Sequence, residues 1–221
     1  RGDAVALGIK RLIQQGVLGD LWAFQANWIT SQVALRGADN WLFRREVAGG
    51  GILSWLGCHW IDLLAFLIGP AAEVTAMVAT LCAEGIDVED TASVVLRQPS
   101  GAIGTIRAGY AHKPFYGYED PDLCFVFEGS LGSIYWPVSR HQGYRLRTGH
   151  PAYHGVARRW VQTEEDPDAG SSGYSAQFLK AFLAAVADRS LPPATERDAL
   201  YVLRVLEAAY TSSRERRHVM L

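Results

Sequence analysis

Residues 48–69 read AGGGILSWLGCHWIDLLAFLIG. Three glycines, Gly49 to Gly51, lead into a nearly apolar run that stops at Gly69-Pro70, a helix-ending pair. At about 100° per residue, Ile52, Trp55, His59, Asp62 and Phe66 fall on one helical stripe. Leu53, Leu56, Trp60, Leu63, Leu64 and Leu67 fall on the adjacent one. The second stripe is wholly apolar and should pack on a sheet. The first mixes aromatic rings with an imidazole and a carboxylate, and should line a cleft at the edge of the core. Polar groups in an apolar helix cost folding free energy unless they have partners or a task. His59 and Asp62 are i,i+3 neighbours, so the carboxylate would favour a protonated imidazole and bias its tautomer. On the residues alone two readings stand for His59: a core histidine bonded to backbone, or an acid–base group. Asp62 could equally hold a loop amide. Two ligands without an H-x-x-x-H pair do not make a zinc site, and no G-x-S-x-G nucleophile motif occurs.

Working outward, Val5 to Gly16 has apolar residues at Val5, Ile9, Leu12 and Ile13 and ends at glycine, which predicts an amphipathic helix. Leu21 to Ile29 is aromatic-rich and reads as a strand. Thr30 to Val47 is polar and irregular apart from Trp41-Leu42-Phe43; a loop of that length is usually functional or mobile. Strands are expected over Val74–Leu81, Thr91–Arg97, Gly101–Tyr110, Leu123–Glu128, Ser133–Pro137 and Tyr144–Arg147, joined by short turns that imply antiparallel hairpins. His150 to Gly173 reads as loop. Helices are expected over Ser175–Asp188 and from Glu196 to about Arg214, the second capped by Thr195 with Asp198 at the capping-box offset. Helices at both ends and in between, with the strands in one block, predict an α+β fold: an open, predominantly antiparallel sheet with helices on one face. The chain has no βαβ alternation and no G-x-G-x-x-G. The glycine triplet follows a polar loop rather than a strand, so it is not a phosphate loop.

The 221 residues are 49% hydrophobic and 20% charged, with net charge −2, as in a globular protein with a sizeable core. Nothing suggests a nucleic-acid surface; the basic run from Arg214 to His218 reads as a solvated helix end. Cys58, Cys82 and Cys124 are odd in number and form no CxxC, which argues against a disulfide framework and fits a reducing, cytoplasmic setting. Ile52 to Ile68 could be mistaken for a membrane span, but it carries His59 and Asp62 at its centre. The chain begins Arg1-Gly2-Asp3 without Met, so it reads as a piece of a longer protein, and its RGD tripeptide reads as chance.

The segment from Gly49 to Leu64, GGGILSWLGCHWIDLL, resembles the G-G-G-x-L-x-D-x-G-x-H-x-x-D signature of the glucose–fructose oxidoreductase / inositol dehydrogenase / rhizopine-catabolism (Gfo/Idh/MocA) family. The likeness continues at IKRLIQQGVLGD (9–20), at Glu89-Asp90-Thr91, at Gly101 to Thr105 and at Gly129 to Ile134. It closes on Leu191-Pro192-Pro193 through Tyr210 to Val219. It thus runs essentially end to end, over the family's second domain only. That implies a single substrate-binding and oligomerisation domain over residues 1–221, like the C-terminal domains of dihydrodipicolinate reductase and GAPDH. The N-terminal Rossmann domain is absent from the chain.

The resemblance further implies an oxidoreductase moving hydride between NAD or NADP and a sugar, polyol or related carbonyl compound. The dinucleotide would be bound mainly by the missing domain, with no cofactor-binding residue here and no activity from this chain alone. By resemblance His59 is the catalytic histidine that moves a proton, and Asp62 hydrogen-bonds substrate hydroxyls. The 30–47 loop should cover the cleft, which makes Asn40, Trp41, Arg44 and Arg45 candidate substrate contacts, and Tyr118 is a further candidate. A homo-oligomer through the open sheet face is implied, with no nucleic-acid, membrane or metal partner. One position departs: Trp55 stands where the family has its first aspartate. Tryptophan cannot share a proton with His59 but offers a platform for a sugar face. The departure leaves open a redox-inactive or redox-neutral sugar-binding relative.

Overall fold

The computed structural model describes residues 3–110, 122–138, 143–154, 157–162 and 173–221. Helix α1 (Ala4–Gln14) is capped by Asp3, whose Oδ1 accepts from Ala6 N at 2.8 Å. Strand β1 (Leu21–Ile29) follows the Gly19 turn. The next segment holds two single-turn helices, α2 (Val33–Arg36) and α3 (Arg45–Ala48), with a 3₁₀ turn at Trp41–Phe43 between them. A π-turn (Leu53–Gly57) then opens α4 (Cys58–Ile68). Strands β2 (Glu73–Ala79), β3 (Thr91–Arg97), β4 (Ile103–Gly109), β5 (Asp122–Gly129), β6 (Gly132–Pro137), β7 (Gly143–Thr148) and β8 (Ala157–Gln162) come next. Helices α5 (Gly173–Asp188) and α6 (Glu196–Glu215) and the two-residue β9 (Val219–Met220) close the chain.

The nine strands form one open sheet in the order β8-β7-β6-β5-β1-β4-β3-β2-β9. The pairing is antiparallel except between β1 and β4, which run parallel at the centre. Parallel neighbours need a long crossover. Here α4 and the β2–β3 hairpin supply it, so one parallel pair arises without a βαβ repeat. Strict alternation along β3 puts Ala92, Val94 and Leu96 inward and Ser93, Val95 and Arg97 outward. On the inner face these residues meet Phe24, Ile106, Phe125, Phe127 and Leu146 under α1, α4 and α6. Each side chain buried there contributes about 1.5–3 kcal/mol relative to exposure.

Helix α4 behaves as a core helix. By length and composition 45–68 could cross a membrane, but Trp60, Ile61, Leu64 and Leu67 are buried against the sheet and its covering helices. Helix α6 covers β2, and its Ser212 and Ser213 hydroxyls accept from Ala76 N (2.9 Å) and Val78 N (3.0 Å), beyond the reach of short β9. Those N–H groups would otherwise form an open edge. The capping box at Thr195 and Asp198 forms as the sequence predicts.

Two expectations need correction. The 150–173 segment is not all loop: β8 lies within it and pairs with β7. Its run Arg158-Arg159-Trp160-Val161 lacks a clean alternation because it is an edge strand, where charge on exposed positions is favoured. The single helical stripe proposed for 52–66 is also broken. The π-turn takes fewer degrees per residue than an α-turn, so Ile52 is buried, not in line with Trp55. At the far end Phe66 is half-buried and packs under Lys10 of α1, whose Nζ lies 3.6 Å from the ring centroid. Neither Ile52 nor Phe66 belongs to a cleft.

Candidate active site

The glycine triplet is where the site helix is seated. Gly49 ends α3 in the left-handed region at φ 76°. A Cβ on Gly51 would overlap the Glu89 carbonyl, and one on Gly50 would overlap the Tyr210 hydroxyl and Ser54. Close backbone approach, not phosphate binding, therefore accounts for these glycines. It brings Ile52 N to Glu89 O at 3.0 Å and Leu53 N to Glu89 Oε1 at 3.2 Å. Glu89 is 1% exposed. Its carboxylate also accepts from the Tyr210 hydroxyl at 2.7 Å, with Ser54 Oγ 3.1 Å from the same hydroxyl. A carboxylate at the start of a helix meets unpaired N–H groups and the positive end of its dipole. Glu89 thus fastens the first turn of the helix to α6. Burial, and then the Glu89 charge, push both Tyr210 and Tyr110 well above the ordinary phenol range.

Beyond this anchor the helix surfaces. Trp55 is 36% exposed, and His59, one turn on, is also exposed. The exposed imidazole sets aside the reading of His59 as a core histidine. It leans on Trp28 of β1, ring centroids 5.8 Å apart, and Trp28 leans on Trp60 at 4.3 Å. Trp60 is fixed by Nε1 donating to Asn27 O at 2.7 Å and by Phe125. His59 is therefore supported from beneath by packed aromatic rings and open above. Its pKa is lowered from 6.5: partial burial against Trp28 outweighs the opposing pull of the Asp62 carboxylate. Asp62 favours the protonated imidazole, as its i,i+3 spacing implies, but burial outweighs it. At neutral pH the ring is neutral and can accept a proton.

Asp62 is half-buried one turn further along. Trp41 lies edge-on to Trp55, centroids 6.4 Å apart at 82°. Its neighbours Leu42 and Phe43 are buried, Phe43 against Tyr110, so the loop is anchored rather than loose. The structure thus brings Trp41, Trp55, His59 and Asp62 together along one exposed edge. It gives Asn40 and Arg44 other work: Asn40 Oδ1 caps the 3₁₀ turn, accepting from Leu42 N at 3.1 Å, and Arg44 pairs with Asp39 at 3.0 Å. Arg45 is bound to Asp87 through its backbone N–H and through Nε to the Asp87 carbonyl. Tyr118 lies outside the described residues.

Two residues escaped sequence reading. Trp28 looked like an ordinary strand aromatic; only the placement of α4 over β1 makes it the support of His59. Arg36, whose guanidinium carbon lies 6.0 Å from the Trp55 ring centroid, gave no signal, because α2 is one turn long and its contact is tertiary. Among the described residues no cluster of His, Cys, Asp or Glu could hold a metal. Nor do they offer a dinucleotide cradle. A pyrophosphate needs open N–H groups at a glycine-rich strand-to-helix turn. Here the glycine triplet already faces a buried carboxylate.

Comparison with known proteins agrees with this architecture. The family model described as the GFO/IDH/MocA C-terminal domain matches residues 7–135. A putative UDP-kanosamine synthase oxidoreductase subunit of Amycolatopsis mediterranei is 36% identical over 152 residues, 60% of this chain and 40% of that protein. The NADP⁺-dependent scyllo-inositol 2-dehydrogenase of Bacillus subtilis is 26% identical over 240 aligned positions, covering 100% of this chain and 62% of its own length. Among solved structures, levoglucosan dehydrogenase in complex with NADH and levoglucosan superposes with a TM-score of 0.84 at 22% identity, over 99% of this chain and 63% of the other. The chain spans less than two thirds of each of these proteins. Since the family model covers more than half of the chain, the chain belongs to the Gfo/Idh/MocA family, through its C-terminal domain.

Proposed function

We propose that this chain is the substrate domain of an NAD(P)-dependent oxidoreductase that moves hydride between nicotinamide and a sugar, polyol or related carbonyl compound. The observation that carries the reading is the state of His59: exposed on one face, propped by Trp28 on the other, its pKa lowered below 6.5. Removing hydride from a carbinol also requires loss of the hydroxyl proton. A neutral imidazole on this exposed edge accepts that proton, and Asp62 accepts a hydrogen bond from a neighbouring hydroxyl. Trp55 gives the sugar's apolar face a surface. The cofactor, NAD or NADP, would be held mainly by a Rossmann domain outside this chain; a relative bound to NADH, of which the chain spans 63%, supports this reading. The catalytic work of this chain is confined to substrate and proton. Relatives catalysing such reactions on inositol and levoglucosan support the substrate class.

The test uses the complete protein carrying this chain, with bound nicotinamide assayed and sugars and polyols screened for oxidation. His59→Ala should lower turnover on the order of 10²-fold or more. Unchanged turnover in that variant would falsify the proton-transfer role. The second reading, a redox-inactive sugar-binding relative, rests on Trp55 in place of a carboxylate; sugar binding without oxidation in any cofactor combination would favour it. A cytoplasmic location and a homo-oligomer through the outer sheet face complete the proposal. On that face one register row runs Thr75, Val95, Thr105, Gln25, Val126, Tyr135, Arg145, Trp160. The row is nearly uncharged, as a self-complementary interface requires.

A further inference from the structure

Three arginines, Arg36, Arg44 and Arg45, stand between β1 and the site helix, and their surroundings differ. Arg44 meets the Asp39 carboxylate and Arg45 is held by Asp87. Arg36 has no carboxylate partner among the described residues: its Nε donates to the neutral amide oxygen of Gln32 at 3.0 Å, and its guanidinium stands over the exposed Trp55 ring. An arginine stacked on an aromatic face keeps its outer N–H donors free for a planar or tetrahedral anion.

The rest of the edge fits the same polarity. Trp55 occupies the position where the family signature carries aspartate, so a negative charge that would repel an anion is missing from beside Arg36. Among the described residues of the helix edge the carboxylate is Asp62, seven residues beyond Trp55, about 10 Å along the helix. The edge therefore runs from a cation at Arg36, across an aromatic platform at Trp55 and Trp41, to the imidazole of His59 and the acceptor Asp62. A ligand with an anion at one end, an apolar ring face in the middle and hydroxyls at the other end matches it in order.

Resting on the sugar-site reading above, we propose that the sugar taken here carries an anionic substituent, a phosphate, diphosphate or carboxylate, which Arg36 binds beside the Trp55 platform. Arg36 then decides specificity, while His59 and Asp62 serve the reacting end.

The experiment titrates the complete protein with glucose, glucose 6-phosphate, UDP-glucose and glucuronate, following tryptophan fluorescence and heat. Inorganic phosphate and UDP serve as separate probes. At least one anionic sugar should bind roughly tenfold or more tightly than glucose, the ratio expected of one charge-assisted contact. The comparison among the three identifies the anion. Arg36→Gln should abolish that ratio while leaving glucose binding unchanged, and added salt should shrink it. Trp55→Ala should weaken all sugars together. Equal affinity for neutral and anionic sugars, or a ratio that survives Arg36→Gln, overturns this inference and leaves the sugar site standing. Phosphate or UDP binding as tightly as the corresponding sugar also overturns it. If no sugar binds at all, both readings fall.

Discussion

At the scale of single residues, the buried carboxylate of Glu89 sets the terms. Its Oε1 is bonded, while Oε2 and the buried Tyr110 hydroxyl have no hydrogen-bond partner among the described residues. The two tyrosines therefore differ although burial raises the pKa of both. Tyr210→Phe removes a donor from a buried carboxylate and should cost about 1.5–3 kcal/mol. Tyr110→Phe removes a hydroxyl with no recorded bond and should cost less than half of that. Urea denaturation of the two variants checks the ranking, and equal losses would show that Tyr110 is bonded after all. At His59 the two influences are separable as well. Burial lowers the pKa and Asp62 raises it, so Asp62→Asn should move the imidazole midpoint further down, as read by NMR titration of its ring protons. The sign follows for stability and for rate. With the folded pKa below 6.5, the fold resists protonation, so the His59 contribution is present above 6.5 and is lost as pH falls toward the folded value. Oxidation that uses the neutral ring should fall over the same acid range, and that limb of the pH profile should vanish in His59→Gln.

At the scale of elements, the site helix depends on how it begins. The π-turn at Leu53–Gly57 lets Ile52 and Leu53 both enter the core while Trp55 reaches the surface. Gly51 permits this by letting the chain touch the Glu89 backbone. Gly51→Ala has no flexible neighbour to displace there, so it should cost about 1–3 kcal/mol or more, in the range of overpacked cores, and should lower Tm. An unchanged Tm would mean that the Glu89 contact is looser than the geometry implies. Helix periodicity made the existence and extent of this helix legible, because thirteen of the seventeen residues 52–68 are apolar, between polar and glycine-rich flanks. It did not show the π-turn, because a uniform 100° step assumes one hydrogen-bond pattern throughout. The strands were legible for a similar reason: Leu21–Ile29 and Thr91–Arg97 are found with the expected ends. β8 was not, since an edge strand buries little and leaves little pattern.

At the scale of the whole molecule, the described helices cover one side of the sheet, and helix α5 turns Phe178, Leu179, Phe182, Leu183 and Val186 toward solvent. Apolar surface of this extent marks association faces. If copies pair through the outer sheet face, a charge at the centre of its row, where the neighbours are uncharged, should separate them. Gln25→Lys should shift sedimentation from oligomer to monomer without loss of the fold, and a wild-type protein already monomeric at micromolar concentration would remove the basis for the interface. The edge that carries His59 and the outer sheet face use different residues, so the two proposals can be tested separately. The sequence alone determined the family, the main helices and most of the strands, and the histidine to watch, because these follow from local composition, hydrophobic period and the fixed spacing of the glycine-led motif. Only the tertiary structure decided between a core and an exposed His59 and lowered its pKa, set Arg36 against Trp55, and made Glu89 the anchor of the helix. Exposure, pKa and long-range contact are properties of what packs against a residue, and the partners here lie from 19 to 121 positions away along the chain.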